Sequence, residues 1–202
     1  MDLRMITAYS FGASTAAGAR DDEVGGFIAR VGHYLADTDA GSSVNHGVGG
    51  DTTTMMLARL DAVVADMRDR EGPLALVTLG INDVPRIVDD KPGIRVGLEQ
   101  HAESLDRILS VLGDIGDVIY ITQYPVDYVV RSLEPSLVES YVKAGEATAR
   151  AASVDVVDVF SMVDADRFKE FIFEDGLHFN PRGHQFMANA VIAALHSTGR
   201  LG

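Results

Sequence analysis

Apolar and polar positions along this chain follow two alternating patterns. Short apolar runs, typical of strands buried on both faces, are separated by segments whose apolar residues recur every three or four positions, as on one face of a helix. The runs predict strands at 5–11, 42–45, 74–79, 118–122 and 154–160. The helical spacing predicts helices at 24–35, 94–112, 135–152 and 181–195. It also predicts a helix that begins after an N-cap at Asp51.

This alternation of strands and helices is typical of βαβ units and predicts a parallel sheet. Five such strands with intervening helices indicate an α/β protein, a three-layer α/β/α sandwich. No linker, repeat or low-complexity stretch divides residues 1–202, and 47% of them are apolar, enough for a sizeable core. We therefore expect a single domain over the whole length.

Composition narrows the classes of partner. Thirty acidic residues against seventeen basic ones give a formal charge of −13, which repels phosphate backbones and anionic lipid. Nucleic acid and membrane surfaces are therefore not expected as partners, and the oligomeric state is left open. The chain has no cysteine, hence no disulfide framework or thiolate metal site. Without a signal-like N-terminus or an apolar run of about 20 residues, a cytoplasmic protein is expected.

Four polar, glycine-rich segments follow the predicted strands. They cover residues 12–18 after the first strand, 45–51 after the second, 80–83 after the third and 175–178 beyond the fifth. Because functional groups gather at the carboxyl ends of parallel strands, we expect these segments to converge on one edge of the sheet.

The first and last of these segments offer a nucleophile and a base. Ser14 follows a strand and opens a helix between small residues, which exposes a hydroxyl, although a serine there can also simply cap the helix. Asp175 and His178 lie three positions apart, directly before a helix start with Asn180 as N-cap and Pro181 at the first helical position. A histidine oriented by a carboxylate can take the proton of a serine hydroxyl.

The two middle segments offer hydrogen-bond donors. Gly47 can bring a backbone N–H close to a ligand, although it also suits an ordinary turn. The Asn82 side-chain amide could face a developing oxyanion, or form an Asx turn. Among the other histidines, His46 could line such a site, whereas His184 is expected to pack on the last helix or face solvent.

In this order and at these spacings, the segments around Ser14, Gly47, Asn82 and His178 resemble the four blocks of the SGNH (GDSL-type) hydrolase family. The resemblance implies a five-stranded flavodoxin-like α/β/α fold and an esterase that forms an acyl-serine intermediate from esters or thioesters. It implies Ser14 as nucleophile, His178 as base and Asp175 as orienting acid. The Ser14 and Gly47 amides and the Asn82 side chain would form the oxyanion hole. No metal or organic cofactor is implied, and the partner would be a small-molecule ester.

One position departs from the family pattern, which usually reads Gly-Asp-Ser in its first block. Here the sequence is Gly12-Ala13-Ser14, so a carboxylate able to bond nearby amides is missing. This departure keeps open a degenerate member that binds esters or glycans without hydrolysing them. An acyltransferase with the same triad also remains open.

Two apolar segments bear on the size of the substrate. Apolar residues at 124–130 and at 168–173 could line an acyl pocket, although most are expected to pack against the core. No long apolar lid segment is evident, which favours small to medium acyl groups.

Two rival classes of protein use the same residues differently. A flavin or nucleotide module could use residues 14–18 to hold a phosphate, but the chain lacks the usual phosphate-loop motifs. A metal hydrolase would need Asp175, His178 and His184 as ligands, at a spacing that is not a recognised pattern.

Overall fold

The structure is a computed structural model that describes residues 5–88, 92–164 and 167–202. Its five strands form one parallel sheet in the order β2-β1-β3-β4-β5. The strands are β1 Ile6–Gly12, β2 Gly41–Asn45, β3 Pro73–Thr78, β4 Asp117–Ile121 and β5 Asp155–Val157. This is the doubly wound, flavodoxin-like order: β2 is added on one side of β1, and β3, β4 and β5 are added on the other. Such a reversal leaves a crevice at the carboxyl ends of β1 and β3.

Helices cover both faces of this sheet. They are α1 Ser14–Ala17, α2 Gly26–Asp37, α3 Thr53–Arg68, α4 Leu98–Gly113, α5 Pro135–Ala151, α6 Val159–Met162 and α7 Pro181–Ser197, with short 3-10 turns at Pro92–Ile94 and Phe168–Glu170. Helices α2 and α7 pack together on one face, whereas α3, α4 and α5 pack in succession on the other. The expected three-layer α/β/α fold is confirmed, and none of the described helices is long and apolar enough to span a membrane.

Alternate residues of the central strands feed two separate cores. Ala8, Leu76 and Ile119 face the cluster that contains α2 and α7. Tyr9 and Tyr120 face the cluster that contains α3 and α4. Because successive strand side chains point to opposite faces, a sheet apolar on both sides has to be covered by a layer on each.

Local capping explains two differences between the predicted and the observed element boundaries. The fifth strand was expected over 154–160, but it ends at Val157 because Asp158 caps α6 by accepting the Ser161 N–H at 3.2 Å. Asp51 was expected to cap α3, but Thr52 does so by accepting the Met55 N–H at 3.3 Å. A side chain that bonds a free N–H of the first turn fixes where a helix begins.

The capped start of the last helix is confirmed. The Asn180 side chain accepts the Gly183 N–H at 3.0 Å, and Pro181 takes the first helical position. The predicted helix at 94–112 is also present, although it begins only at Leu98, after a 3-10 turn. These helices hold the loops before them rigidly at the carboxyl edge of the sheet.

Candidate active site

The turn between β1 and α1 presents Ser14 at the first position of α1, partly buried. Among the described residues, no protein group accepts the Ser14 N–H or bonds its hydroxyl. The N-cap residue, Ala13, makes no side-chain hydrogen bond. Gly12 permits the turn, because a Cβ at that position would lie 2.2 Å from the Thr78 carbonyl oxygen on β3. The serine therefore carries a hydroxyl and an N–H that are both available to a ligand.

The loop before α7 forms the predicted carboxylate–histidine pair. Asp175 Oδ2 accepts a hydrogen bond from His178 Nδ1 at 2.8 Å. Asp175 Oδ1 accepts the backbone N–H groups of Leu177 at 3.0 Å and His178 at 2.9 Å. The His178 carbonyl in turn accepts the Phe173 N–H at 2.9 Å, which ties the loop to the preceding segment. Both ends of the pair are thus fixed by backbone bonds.

These contacts set the charge of the pair. Partial burial raises the pKa of Asp175, but hydrogen bonds from the His178 ring and from the N–H groups of His178 and Leu177 outweigh it and lower that pKa to about 2. Asp175 is therefore ionised at neutral pH. A carboxylate facing Nδ1 assigns the proton of neutral His178 to that nitrogen, which leaves Nε2 as a proton acceptor.

A buried tyrosine joins two segments, which are named here for the roles predicted of Ser14 and His178: the nucleophile turn, residues 12–17, and the base loop, residues 175–178. Thr15 Oγ1 lies 3.0 Å from the Tyr124 hydroxyl, which donates to the Leu177 carbonyl at 2.6 Å. Arg20, just beyond α1, also forms an ion pair with Asp175 at 3.5 Å. The structure therefore brings the segment of Ser14 beside the segment of Asp175 and His178.

Two of the three glycines in the loop after β2, Gly47 and Gly50, lie in different environments. The Gly47 N–H donates to Asn45 Oδ1 at 2.9 Å, and a Cβ on Gly47 would lie 2.2 Å from the Ala17 nitrogen. Gly47 is thus required by its close approach to α1, and its role as an oxyanion donor stays a prediction. Gly50 has φ +88° and open space around it, and no described residue accepts its N–H. This N–H was not singled out from the sequence, although Gly50 belongs to the glycine-rich segment before α3.

Asn82 is tied to the same loop. Its Nδ2 donates to the Asp51 carbonyl at 3.0 Å and keeps a second amide hydrogen. Arg59, on α3, donates through Nε to Asp51 Oδ2 at 2.7 Å and through Nη2 to the His46 carbonyl at 2.8 Å. The Arg59 guanidinium thus fixes two parts of the site: the peptide between His46 and Gly47, and Asp51, whose carbonyl holds the Asn82 side chain.

A second carboxylate–histidine pair lies under Asn82. Asp83 and His101 are both fully buried, with Oδ2 and Nδ1 2.6 Å apart, and Asp83 Oδ1 accepts the Thr53 N–H at 2.9 Å. This pair links the loop after β3 to α3 and α4. The sequence held no signal for it, because the two residues are eighteen positions apart and belong to different elements.

The two remaining histidines considered from the sequence have packing roles. The His46 ring stacks on Tyr9 and Phe11, with ring centroids 5.8 and 5.5 Å apart, and burial lowers its pKa. Of the two alternatives left open for His184, packing is the one observed: the residue is buried on α7, burial lowers its pKa, and its Nε2 lies 3.1 Å from the Ala19 carbonyl. Within the part of the chain that the structure describes, no three His, Asp or Glu side chains are grouped to hold a metal ion.

Comparison with known proteins identifies the family. The family model for GDSL-like lipases/acylhydrolases matches residues 10–186, so the chain belongs to that family. It is 24% identical over 161 residues to the human isoamyl acetate-hydrolyzing esterase 1 homolog, a match that covers 71% of this chain but only 64% of that relative.

Solved structures share the fold. A lipase/acylhydrolase from Enterococcus faecalis superimposes with a TM-score of 0.80 at 24% identity, over 98% of both chains. An acetyl xylan esterase from Geobacillus stearothermophilus does so with a TM-score of 0.76 at 19% identity, over 96% of both chains. The sequence-based recognition of an SGNH (GDSL-type) hydrolase is therefore confirmed.

Proposed function

We propose that this protein is a serine esterase that hydrolyses carboxylic esters or thioesters of small to medium acyl groups. The observation that carries the proposal is an unpartnered Ser14 on a segment that is hydrogen-bonded, through Tyr124, to the loop of the Asp175–His178 pair, whose Nε2 is left as acceptor. The family membership supports a hydrolase of small-molecule esters.

In the proposed reaction Ser14 Oγ attacks the ester carbonyl carbon and His178 Nε2 takes the hydroxyl proton. Asp175 stabilises the resulting imidazolium. The tetrahedral intermediate then collapses: the bond to the alcohol or thiol breaks, and His178 returns its proton to that leaving group. Water attacks the acyl-serine in the same way, so that the acid is released and Ser14 is regenerated without any cofactor.

Three donors are proposed for the oxyanion: the Ser14 and Gly47 amides and the second hydrogen of Asn82 Nδ2. Gly47 can take part only if the Asn45 side chain turns away, because its N–H is already bonded. Gly50 offers an unpartnered N–H in the same loop and needs no such movement. Loss of one oxyanion donor typically costs about 2.7–4 kcal/mol in the transition state.

An apolar surface beside the base loop supports an ester with an apolar group. Val129 is 89% exposed, Val130 55% and Ile87 69%. Val130 contacts the base loop, because its Cβ lies 2.9 Å from the position of a Cβ built on Gly176. Phe168 and Phe171 instead pack against the core, the role expected for most of these side chains.

Steady-state turnover of p-nitrophenyl esters from acetate to decanoate tests this proposal. We expect kcat/KM to be highest at short or medium chain length and to be lost in both Ser14→Ala and His178→Ala. Because His184 lies outside the proposed machinery, His184→Gln is the matched histidine control and should keep activity per folded molecule. Binding of the ester without turnover in the wild type would instead support the degenerate family member, and faster aryl release with added alcohol would support an acyltransferase.

A further inference from the structure

Tyr124 stands between the two halves of the proposed catalytic site. Its side chain is buried, and its hydroxyl has one hydrogen, which goes to the Leu177 carbonyl at 2.6 Å. The hydroxyl therefore accepts from Thr15 Oγ1, 3.0 Å away. Burial raises the pKa of Tyr124, so it stays a protonated donor across the neutral range. The chain Thr15–Tyr124–Leu177 is thus a directed relay of two hydrogen bonds.

The ring of Tyr124 holds the base loop as well. It stacks on Phe179 with ring centroids 3.7 Å apart and an interplanar angle of 23°. Leu177 and Phe179 are the two chain neighbours of His178, and Thr15 is the neighbour of Ser14. One side chain therefore contacts the residues on both sides of the base and the residue after the nucleophile.

The nucleophile turn has few other side-chain supports. Ala13 at the N-cap offers no acceptor. Among the described residues, the hydrogen bond of Thr15 to Tyr124 is the one that a side chain of α1 makes to the rest of the protein. Ser10 Oγ donates to the Ala16 carbonyl at 3.4 Å, and the Val48 N–H donates to the Gly12 carbonyl at 3.0 Å. Tyr124 is thus the buried side chain that ties the turn to the base loop, beside the more exposed Arg20–Asp175 ion pair.

We propose that Tyr124 is a positioning residue that sets the separation of Ser14 and His178, with Thr15 as its contact on the nucleophile turn. This role rests on the proposed function. Catalysis by a serine and its base depends on their mutual distance, and a displacement of about 1 Å can cost on the order of 10²-fold in rate. A buried tyrosine bonded to both segments restricts that distance.

The variant Tyr124→Phe tests this role because it removes only the hydroxyl and keeps the stacked ring. We expect kcat, normalised to sites titrated with a fluorophosphonate, to fall by about 10- to 100-fold while KM changes little. The matched control is Tyr141→Phe, which deletes another buried hydroxyl that donates to a backbone carbonyl at 2.6 Å, that of Val96, outside both catalytic segments. Tyr141→Phe should lose stability without losing kcat.

A double-mutant cycle with Thr15→Val separates positioning from general destabilisation. If the two hydroxyls act as one connection, the double variant loses no more kcat than Tyr124→Phe alone. Wild-type kcat per titrated site in Tyr124→Phe, or strictly additive losses in the double variant, would overturn the role of Tyr124. If the wild type neither reacts with the fluorophosphonate nor turns over esters, the proposed function itself fails.

Discussion

At the scale of single residues, position 13 distinguishes this chain from the pattern that its family usually carries. An aspartate at the N-cap of α1 could accept a free N–H of the first turn, but Ala13 makes no such bond. The contact from Thr15 to Tyr124 lies at the same turn and ties it to the base loop. The turn thus lacks a side-chain acceptor at position 13, and the Thr15 hydroxyl bonds to Tyr124, 109 positions away in the chain.

Asp175 makes the stability of the protein depend on acid pH. Its pKa in the folded protein, about 2, lies below the ordinary value of 3.8, so its contribution is complete above the ordinary value and is lost as pH falls towards 2. We expect urea unfolding between pH 5 and pH 2 to show a smaller loss of stability for Asp175→Asn than for the wild type. Asp61→Asn, an exposed change on α3, is the control and should follow the wild type. If the free energy of unfolding fell equally with pH in the wild type and in Asp175→Asn, the lowered pKa of Asp175 would be contradicted.

At the scale of elements, α3 holds the glycine-rich loop after β2 in place through Arg59. Its Arg59 bonds Asp51 and the His46 carbonyl together, a geometry that the two-nitrogen fork of a guanidinium allows and a lysine ammonium does not reproduce. We expect Arg59→Lys to lower kcat with little change in KM, by up to the roughly 10²-fold that follows loss of one oxyanion donor. Arg68→Lys, an exposed change on the same helix, should leave kcat unchanged. A rise in KM at constant kcat in Arg59→Lys would assign the loop to substrate binding instead.

The buried Asp83–His101 pair joins the loop after β3 to α3 and α4. Removing one member of a buried, hydrogen-bonded pair leaves the other without its partner, which typically costs about 3–5 kcal/mol. We therefore expect Asp83→Ala to lower the free energy of unfolding by about that amount in urea titrations. Asp106→Ala, an exposed change on α4, serves as the control. A loss for Asp83→Ala as small as that of Asp106→Ala would show that the pair does not anchor the loop.

Sequence patterns predicted the elements well where the signal was local. The apolar run before Gly80 and the cap at Asn180 each depend on residues close in the chain, and both predictions are confirmed. The end of β5 was missed because Asp158 forms a cap that an apolar run conceals. The hydrogen bonds of Tyr124 and Arg59 could not be predicted from the sequence, because their partners are made neighbours only by the fold.

At the scale of the whole molecule, one parallel sheet organises both cores and the candidate site. The alternation of apolar runs and helical segments predicted five strands and two covering layers, since a sheet buried on both faces needs helices on each. We propose that the chain is a single domain, because both apolar clusters are built on the same strands. The strand order that places β1 beside β3 depends on long-range pairing, and the family resemblance rather than the apolar pattern implied it.

The central claim is that Ser14, at the carboxyl edge of that sheet, is an activated serine, and this claim can be tested directly. The measurement is the reaction of the folded protein with a fluorophosphonate probe, followed by peptide mapping of the labelled site. We expect a single label on Ser14 that is lost in Ser14→Ala and greatly slowed in His178→Ala, because the probe reacts with serines activated by a base. No label on the folded wild-type protein, or a label that persists in Ser14→Ala, would contradict the account.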